Sequence, residues 1–366
     1  LDYLSELKDL VVLHARSQHL NDADLKSLLN RVQREEGDDS GSWAYEWIGL
    51  GNQLLSSNKT EQAIQCYNFA RFPYIDSTVR QKAHNLCIQT FLTLVEQSKK
   101  KVEIITVPYQ GNEIKVYAAG LDHPNRPLLF VIGGIVSIKE QWSKFLFASE
   151  KLGFGVVVAE CPGVGENPLV YDENSHQMIG CVLDALAGRI DVSSTYYVGM
   201  SFGGQLGIQQ ALVDKRIRGI TTVGAPLCHF YRDQDWWKTV PETTKRTLAH
   251  LMKKAPDEVF EHIQSWQIRP DDMKKLQIPL HYVFSLRDEI IPLSEKAFLL
   301  ENVQNLELLE FDDVHGSPGH MGEIQKYIPL SVLRQQRSNL VMAKFVLGMG
   351  FRLEAMKRVF RQKFTV

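Results

Sequence analysis

Apolar positions along the chain change their spacing near residue 100, and that change divides the sequence. Before it, apolar residues recur at helical intervals, most clearly from Ser42 to Glu96, with breaks near Ser56–Asn58 and at Phe72-Pro73. The segment Ala63–Ala70 alternates small and aromatic residues as a packed helical hairpin does. It resembles a single tetratricopeptide-type unit, but no second copy follows at the required period. Residues 1–99 are therefore expected to form an N-terminal helical cap domain rather than a repeat array.

After Lys99-Lys100-Lys101 the pattern predicts two short strands, Val102–Pro108 and Glu113–Ala118, joined at Gly111-Asn112. Apolar runs at Leu128–Ile132, Gly155–Glu160, Tyr196–Gly199, Ile217–Val223, Leu280–Phe284 and Leu306–Phe311 then alternate with helical stretches. Short runs without polar alternation suit strands covered on both faces by helices. Alternation of this kind over residues 100–339 predicts an α/β fold with a doubly wound, mostly parallel sheet. A helical insertion at about 230–277 is placed to roof the carboxyl ends of the strands, where ligands of such folds bind.

Residues 340–366 read as one more amphipathic helix. It is locally basic, with Lys344, Arg352, Lys357, Arg358, Arg361 and Lys363 against Glu354. A terminal helix packed on the body or at a homodimer interface is the preferred reading over one lying on a membrane surface.

Composition narrows the function. The 366 residues carry 41 Lys+Arg against 43 Asp+Glu, a formal charge of −2, so the basic footprint of a nucleic-acid binder is missing. With 44% hydrophobic residues, disorder is excluded as the dominant state. Cys66, Cys87, Cys161, Cys181 and Cys228 are spread singly, with no zinc spacing and no even framework, and are expected to be reduced thiols of a cytoplasmic protein. No apolar run reaches the ~18 residues of a membrane span.

The chemistry concentrates at Gly199-Met200-Ser201-Phe202-Gly203. This G-x-S-x-G follows an apolar run and opens a helical pattern, the setting of a nucleophile elbow. Side chains at Gly199 and Gly203 would collide with the neighbouring strand and helix. The Phe202 N–H, at the helix start, would face a developing oxyanion. A serine needs a base held by a third group. Asp288, in the turn after Leu280–Phe284, is the expected orienting carboxylate, with Glu289 the weaker alternative. Two histidines follow the last strand; His315, nearest its end, is preferred as the base, and His320 is the alternative. Leu128–Ile132 runs into Gly133-Gly134-Ile135, whose Ile135 N–H is the expected second oxyanion donor. No metal-ligand spacing appears, Gly163-Val164-Gly165 lacks a phosphate-loop pattern, and no cofactor is called for.

These residues resemble a branch of the α/β-hydrolases with an N-terminal helical domain: the FrsA-like proteins, the 2,6-dihydroxypseudooxynicotine hydrolase and the polyketide-shortening hydrolases. The matching stretches are Gly41–Trp47 with the Cys66–Tyr74 hairpin, Gly133–Glu140 (GGIVSIKE), Glu160–Glu166 (ECPGVGE), Gly199–Gly204, Asp235-Trp236-Trp237, Asp288–Pro292 and Asp312–His315. The resemblance implies Ser201, Asp288 and His315 as the triad, with Ile135 and Phe202 as oxyanion donors. FrsA itself departs from the pattern at the elbow, whereas this chain keeps its serine.

The expected activity is that of a serine hydrolase cleaving an acyl or carbon–carbon bond, of the β-diketone type, in a polyketide-like or aromatic ketone substrate of secondary metabolism. The substrate is a small molecule, free or carrier-bound. Tyr67, Tyr231, Trp236 and Trp237 are expected to line the site, and Glu140 to hold substrate; Glu166 reads as a favourable charge at a helix start. A carboxylesterase or thioesterase is the alternative, and a non-catalytic binding protein is the alternative of another class.

Overall fold

The computed structural model describes residues 2–17 and 20–364. Leu1, Gln18, His19, Thr365 and Val366 lie outside the described residues, as do the side chains of Arg361 and Lys363. Five helices come first: α1 (Tyr3–Ser17), α2 (Asp22–Arg31), α3 (Trp43–Ser56), α4 (Thr60–Arg71) and α5 (Thr78–Ser98). Their ends are set locally. The Asn21 side chain accepts the N–H groups of Ala23 and Asp24 at the start of α2, and Ser77 accepts that of Arg80 at the start of α5.

The remainder is built on one eight-stranded sheet. Its strands are β1 (Glu103–Tyr109), β2 (Asn112–Ala119), β3 (His123–Ile132), β4 (Gly155–Ala159), β5 (Ile190–Met200), β6 (Ile217–Val223), β7 (Leu280–Ser285) and β8 (Leu306–Phe311). They lie in the order β1-β2-β4-β3-β5-β6-β7-β8. β1 and β2 form an antiparallel hairpin and β2 pairs antiparallel with β4; all other pairs are parallel. The fold is α/β with a mostly parallel sheet, as the buried runs imply: every residue of β4 and β7 is buried.

Strands β3 and β5 begin several residues before their apolar runs. There His123 pairs with Ile190 and Pro127 with Asp191, through a register irregularity. These extensions are polar or carry proline, so only the backbone pairing marks them as strand.

Helices α6 (Ser143–Leu152), α7 (Gln177–Leu186), α8 (Phe202–Val213), α13 (Ser294–Asn302) and α14 (Met321–Gln335) join or flank the strands. Between β6 and β7 the insertion resolves into α9 (Gln234–Thr239), α10 (Glu242–Met252), α11 (Val259–Ile263) and α12 (Pro270–Met273). Pro241, Pro256 and Pro270 interrupt what the hydropathy alone reads as longer helix.

The N-terminal helices grip this insertion. The Glu6 carboxylate accepts the N–H groups of Glu242 (3.0 Å) and Thr243 (2.6 Å), supplying α10 with a charged cap. The Arg246 guanidinium lies 4.0 Å from the Tyr3 ring centroid, and Tyr74 stacks on His250 at 4.4 Å. The tail forms α15 (Val341–Phe364), one face of which rests on α14 through Phe351 against Tyr327 and an Arg358–Glu323 ion pair of 2.8 Å. None of the described helices is long and apolar enough to cross a membrane.

Candidate active site

Ser201 sits between β5 and α8 with φ 50° and ψ −126°, a backbone conformation that a non-glycine residue adopts only when its surroundings enforce it. The enforcement is visible in the glycines. A Cβ on Gly199 would come within 2.5 Å of the Gly204 backbone, and one on Gly203 within 2.3 Å of the Gly133 carbonyl. The Ser201 N–H is held by the Val223 carbonyl at 2.8 Å.

The structure brings Ser201, His315 and Asp288 into one line. His315 Nε2 lies 3.0 Å from Ser201 Oγ, and His315 Nδ1 lies 3.0 and 2.9 Å from the two Asp288 carboxylate oxygens. Asp288 is buried, and its Oδ1 also accepts the N–H groups of Ile290 (2.9 Å) and Ile291 (2.8 Å), which fix the carboxylate on the turn after β7. Burial pulls the His315 imidazole down, but the Asp288 carboxylate, by charge and hydrogen bond, and Glu289 by charge together hold its pKa above the usual histidine value.

Glu289 is thus not a rival for Asp288. Its Oε2 accepts the His315 N–H at 2.9 Å and so positions the histidine backbone. His320 is placed elsewhere: its Nδ1 lies 2.7 Å from Asp313 Oδ2 and its ring stacks on Phe311 at 4.3 Å. Asp313 also accepts the N–H groups of Val314 and Gly319, so the second Asp–His pair closes the loop that carries His315.

The loop after β3 lies directly on the nucleophile. A Cβ on Gly134 would sit 3.3 Å from Ser201 Cβ. Ile135 follows in the same loop and Phe202 opens α8; among the described residues neither backbone N–H has a hydrogen-bond acceptor. A tetrahedral oxyanion needs backbone donors without another acceptor.

What holds that loop is a buried ion cluster around Lys139, which takes in Glu140 and Glu166, read from the sequence as a substrate contact and a helix-start charge. The Lys139 ammonium, fully buried, lies 2.8 Å from Glu166, 3.3 Å from Glu160 and 3.4 Å from Glu140. Glu160 also accepts the backbone N–H groups of Lys139 and Glu166, both at 3.1 Å. Tyr117 donates to Glu140 at 2.8 Å, and Lys115 reaches Glu166 at 3.0 Å. A Cβ on Gly165, where φ is +58°, would strike Glu160 at 2.0 Å, so the ECPGVGE glycine is what admits this carboxylate. From α4, the buried Arg71 donates to the Val136 carbonyl of the same loop and to Asn68. Burial lowers the Arg71 pKa to about 10, and burial raises that of Glu160, with Lys139 pulling it back. The available signal was Glu160 itself, an acid at the end of an otherwise apolar buried run.

His84, Glu140 and Glu160 bring three donor atoms within 4.8 Å of one another. Burial, with the Arg71 and Lys139 cations adding to it, pushes the His84 pKa down to about 3. That positive surrounding, and the ammonium already held by the carboxylates, do not fit a divalent ion.

Of the expected substrate-binding residues, the structure places Glu140 inside this cluster, with one carboxylate oxygen buried and without a hydrogen-bond partner. Tyr67 is buried between α3 and α4, donating to Asn52 at 2.8 Å. Tyr231 is fully buried and donates to Gln205 of α8, while Trp237 packs against Phe230 and Phe260. Trp236 is half-buried and donates to the Ile290 carbonyl at 2.7 Å, beside the Asp288 turn.

No protein-family model matches the chain. The solved structure of AbyA5 is 35% identical, with a TM-score of 0.91, covering 96% of this chain and 99% of that one. The 2,6-dihydroxy-pseudo-oxynicotine hydrolase structure, at 19% identity and a TM-score of 0.68, covers 92% of this chain and 94% of its own, and shows the shared fold. By sequence, the esterase FrsA of Vibrio vulnificus is 22% identical over 288 residues, 72% of this chain and 69% of that protein.

Glu289→Gln keeps an acceptor for the His315 N–H but removes a charge that raises the imidazole pKa. The acid limb of a kcat/KM–pH profile, where the base becomes neutral, should therefore move to lower pH; an unmoved limb would show that Glu289 does not act on His315. Lys139→Met leaves three carboxylates against one another and should cost on the order of 3–5 kcal/mol in urea unfolding.

Proposed function

The chain belongs to the α/β-hydrolases, in the group that includes AbyA5, and on that footing we propose that it is a serine hydrolase acting through Ser201, His315 and Asp288. The observation that carries this reading is the continuous hydrogen-bonded line from Ser201 Oγ through His315 to Asp288. His315 Nε2 takes the hydroxyl proton as Ser201 Oγ bonds to a substrate carbonyl carbon. Asp288 holds the imidazole in the tautomer with its proton on Nδ1 and stabilises the imidazolium that forms. The N–H groups of Ile135 and Phe202 receive the oxyanion. Collapse breaks the bond to the leaving group, which takes the proton from His315. Water, deprotonated by the same histidine, then releases the acid and restores Ser201.

We take the substrate to be a polyketide-like or aromatic ketone of secondary metabolism, free or carrier-bound, cut at an acyl or β-diketone-type carbon–carbon bond. In the second case the leaving group departs as an enolate carbon that His315 protonates. Trp236, half-buried beside the Asp288 turn, supports a flat substrate. Glu140 keeps an unpartnered buried oxygen close behind the oxyanion loop, which supports a polar contact there.

The test is steady-state turnover of matched panels of aryl esters, acyl thioesters and aryl β-diketones. Ser201→Ala and His315→Ala should each lower kcat by at least about a thousandfold, while His320→Ala keeps most of it. Turnover that survives Ser201→Ala would refute the proposal. Preference for β-diketones over esters would place the cut at carbon–carbon bonds, and the reverse would make the chain an esterase.

A further inference from the structure

Helix α15 carries two apolar faces. One, with Ala343, Leu347 and Phe351, packs on the body. The other faces solvent: Met342 is 73% exposed, Val346 59%, Met349 46%, Leu353 49% and Met356 55%. Nine of the seventeen strongly exposed large apolar side chains among the described residues lie between Leu340 and Val359, so this is one patch and not scattered surface. The largest patch on an ordinary monomer covers about 300–600 Å². The whole chain exposes 16641 Å², against about 15,000 Å² expected for a compact monomer of its mass.

The spacing identifies the occupant. Met342, Val346, Met349, Leu353 and Met356 alternate by four and three residues, the 3.5-residue repeat that seats one helix along another. The four positions from Val346 to Met356, spaced by three, four and three residues, read the same in both directions about residue 351. An antiparallel copy of the helix would set Val346 against Met356 and Met349 against Leu353, with Met342 opposite position 360. This is the self-complementarity that a two-fold interface requires. In that register Arg352 faces Gly350, and Lys357 faces Phe345. A parallel pairing would stack each cation on its own copy. The helix has 24 residues, about 36 Å, long enough for both half-sets.

We propose that two copies of this chain associate through antiparallel α15 helices, along the stripe from Met342 to Met356. The dimer then rests on α14, the helix that follows the loop carrying His315, and leaves Ser201 and its neighbours untouched.

Sedimentation of the full chain should give twice its 41.7 kDa mass. Met349→Glu/Leu353→Glu should weaken association at least a hundredfold, giving monomers with an unchanged circular dichroism spectrum. If that variant fails to fold, Met349→Cys/Leu353→Cys should crosslink between chains on mild oxidation, and Met342→Cys should not. A monomeric wild type, a dimer indifferent to the glutamates, or a monomer that instead sediments with phosphatidylserine vesicles would overturn the assignment.

Discussion

One ammonium buried among three carboxylates governs the geometry around the nucleophile. Lys139 begins the segment after the glycine loop, Glu160 directly follows β4, and Glu166 closes the turn beyond it. Because Glu160 binds the Lys139 side chain and two backbone N–H groups together, the loop between β3 and α6 cannot shift without breaking several buried hydrogen bonds. A cluster of this kind adds little net stability, since desolvation costs about what the attraction returns, but breaking it is costly. Its consequence is placement: Gly134 stays against Ser201.

The helical segment before the sheet enters through the same loop. Arg71, buried and held by Asn68, donates to the Val136 carbonyl, while Glu6 caps α10 and Tyr74 stacks on His250. The first five helices therefore bind both the loop beside Ser201 and the insertion between β6 and β7. A disturbance in α1 or α4 has a direct physical route to the site, through carbonyl and N–H contacts rather than through the sheet.

Much of this was legible in the sequence. Buried strands must be apolar throughout, so Gly155–Ala159 and Leu280–Phe284 announce themselves, and the steric demands of the turn at Ser201 leave only glycine at 199 and 203. The order of Ser201, Asp288 and His315 along the chain named the three residues that the structure joins. What was not legible depends on contacts between distant segments. His315 and His320 follow the same strand, and only the separate carboxylates that receive them, Asp288 and Asp313, tell them apart. Aromatic type alone did not tell which partner each ring finds: Trp236 donates beside the Asp288 turn, and the Tyr67 and Tyr231 hydroxyls go to Asn52 and Gln205. The two faces of α15 are likewise equivalent in hydropathy until α14 covers one of them.

The central claim is that Ser201, activated by His315, is a covalent nucleophile. The direct measurement is intact mass and peptide mapping of the unmodified protein after exposure to a fluorophosphonate, which phosphonylates an activated serine. One adduct per chain is expected, on the peptide containing Ser201. No adduct on the folded protein, or an adduct on another residue, would contradict it.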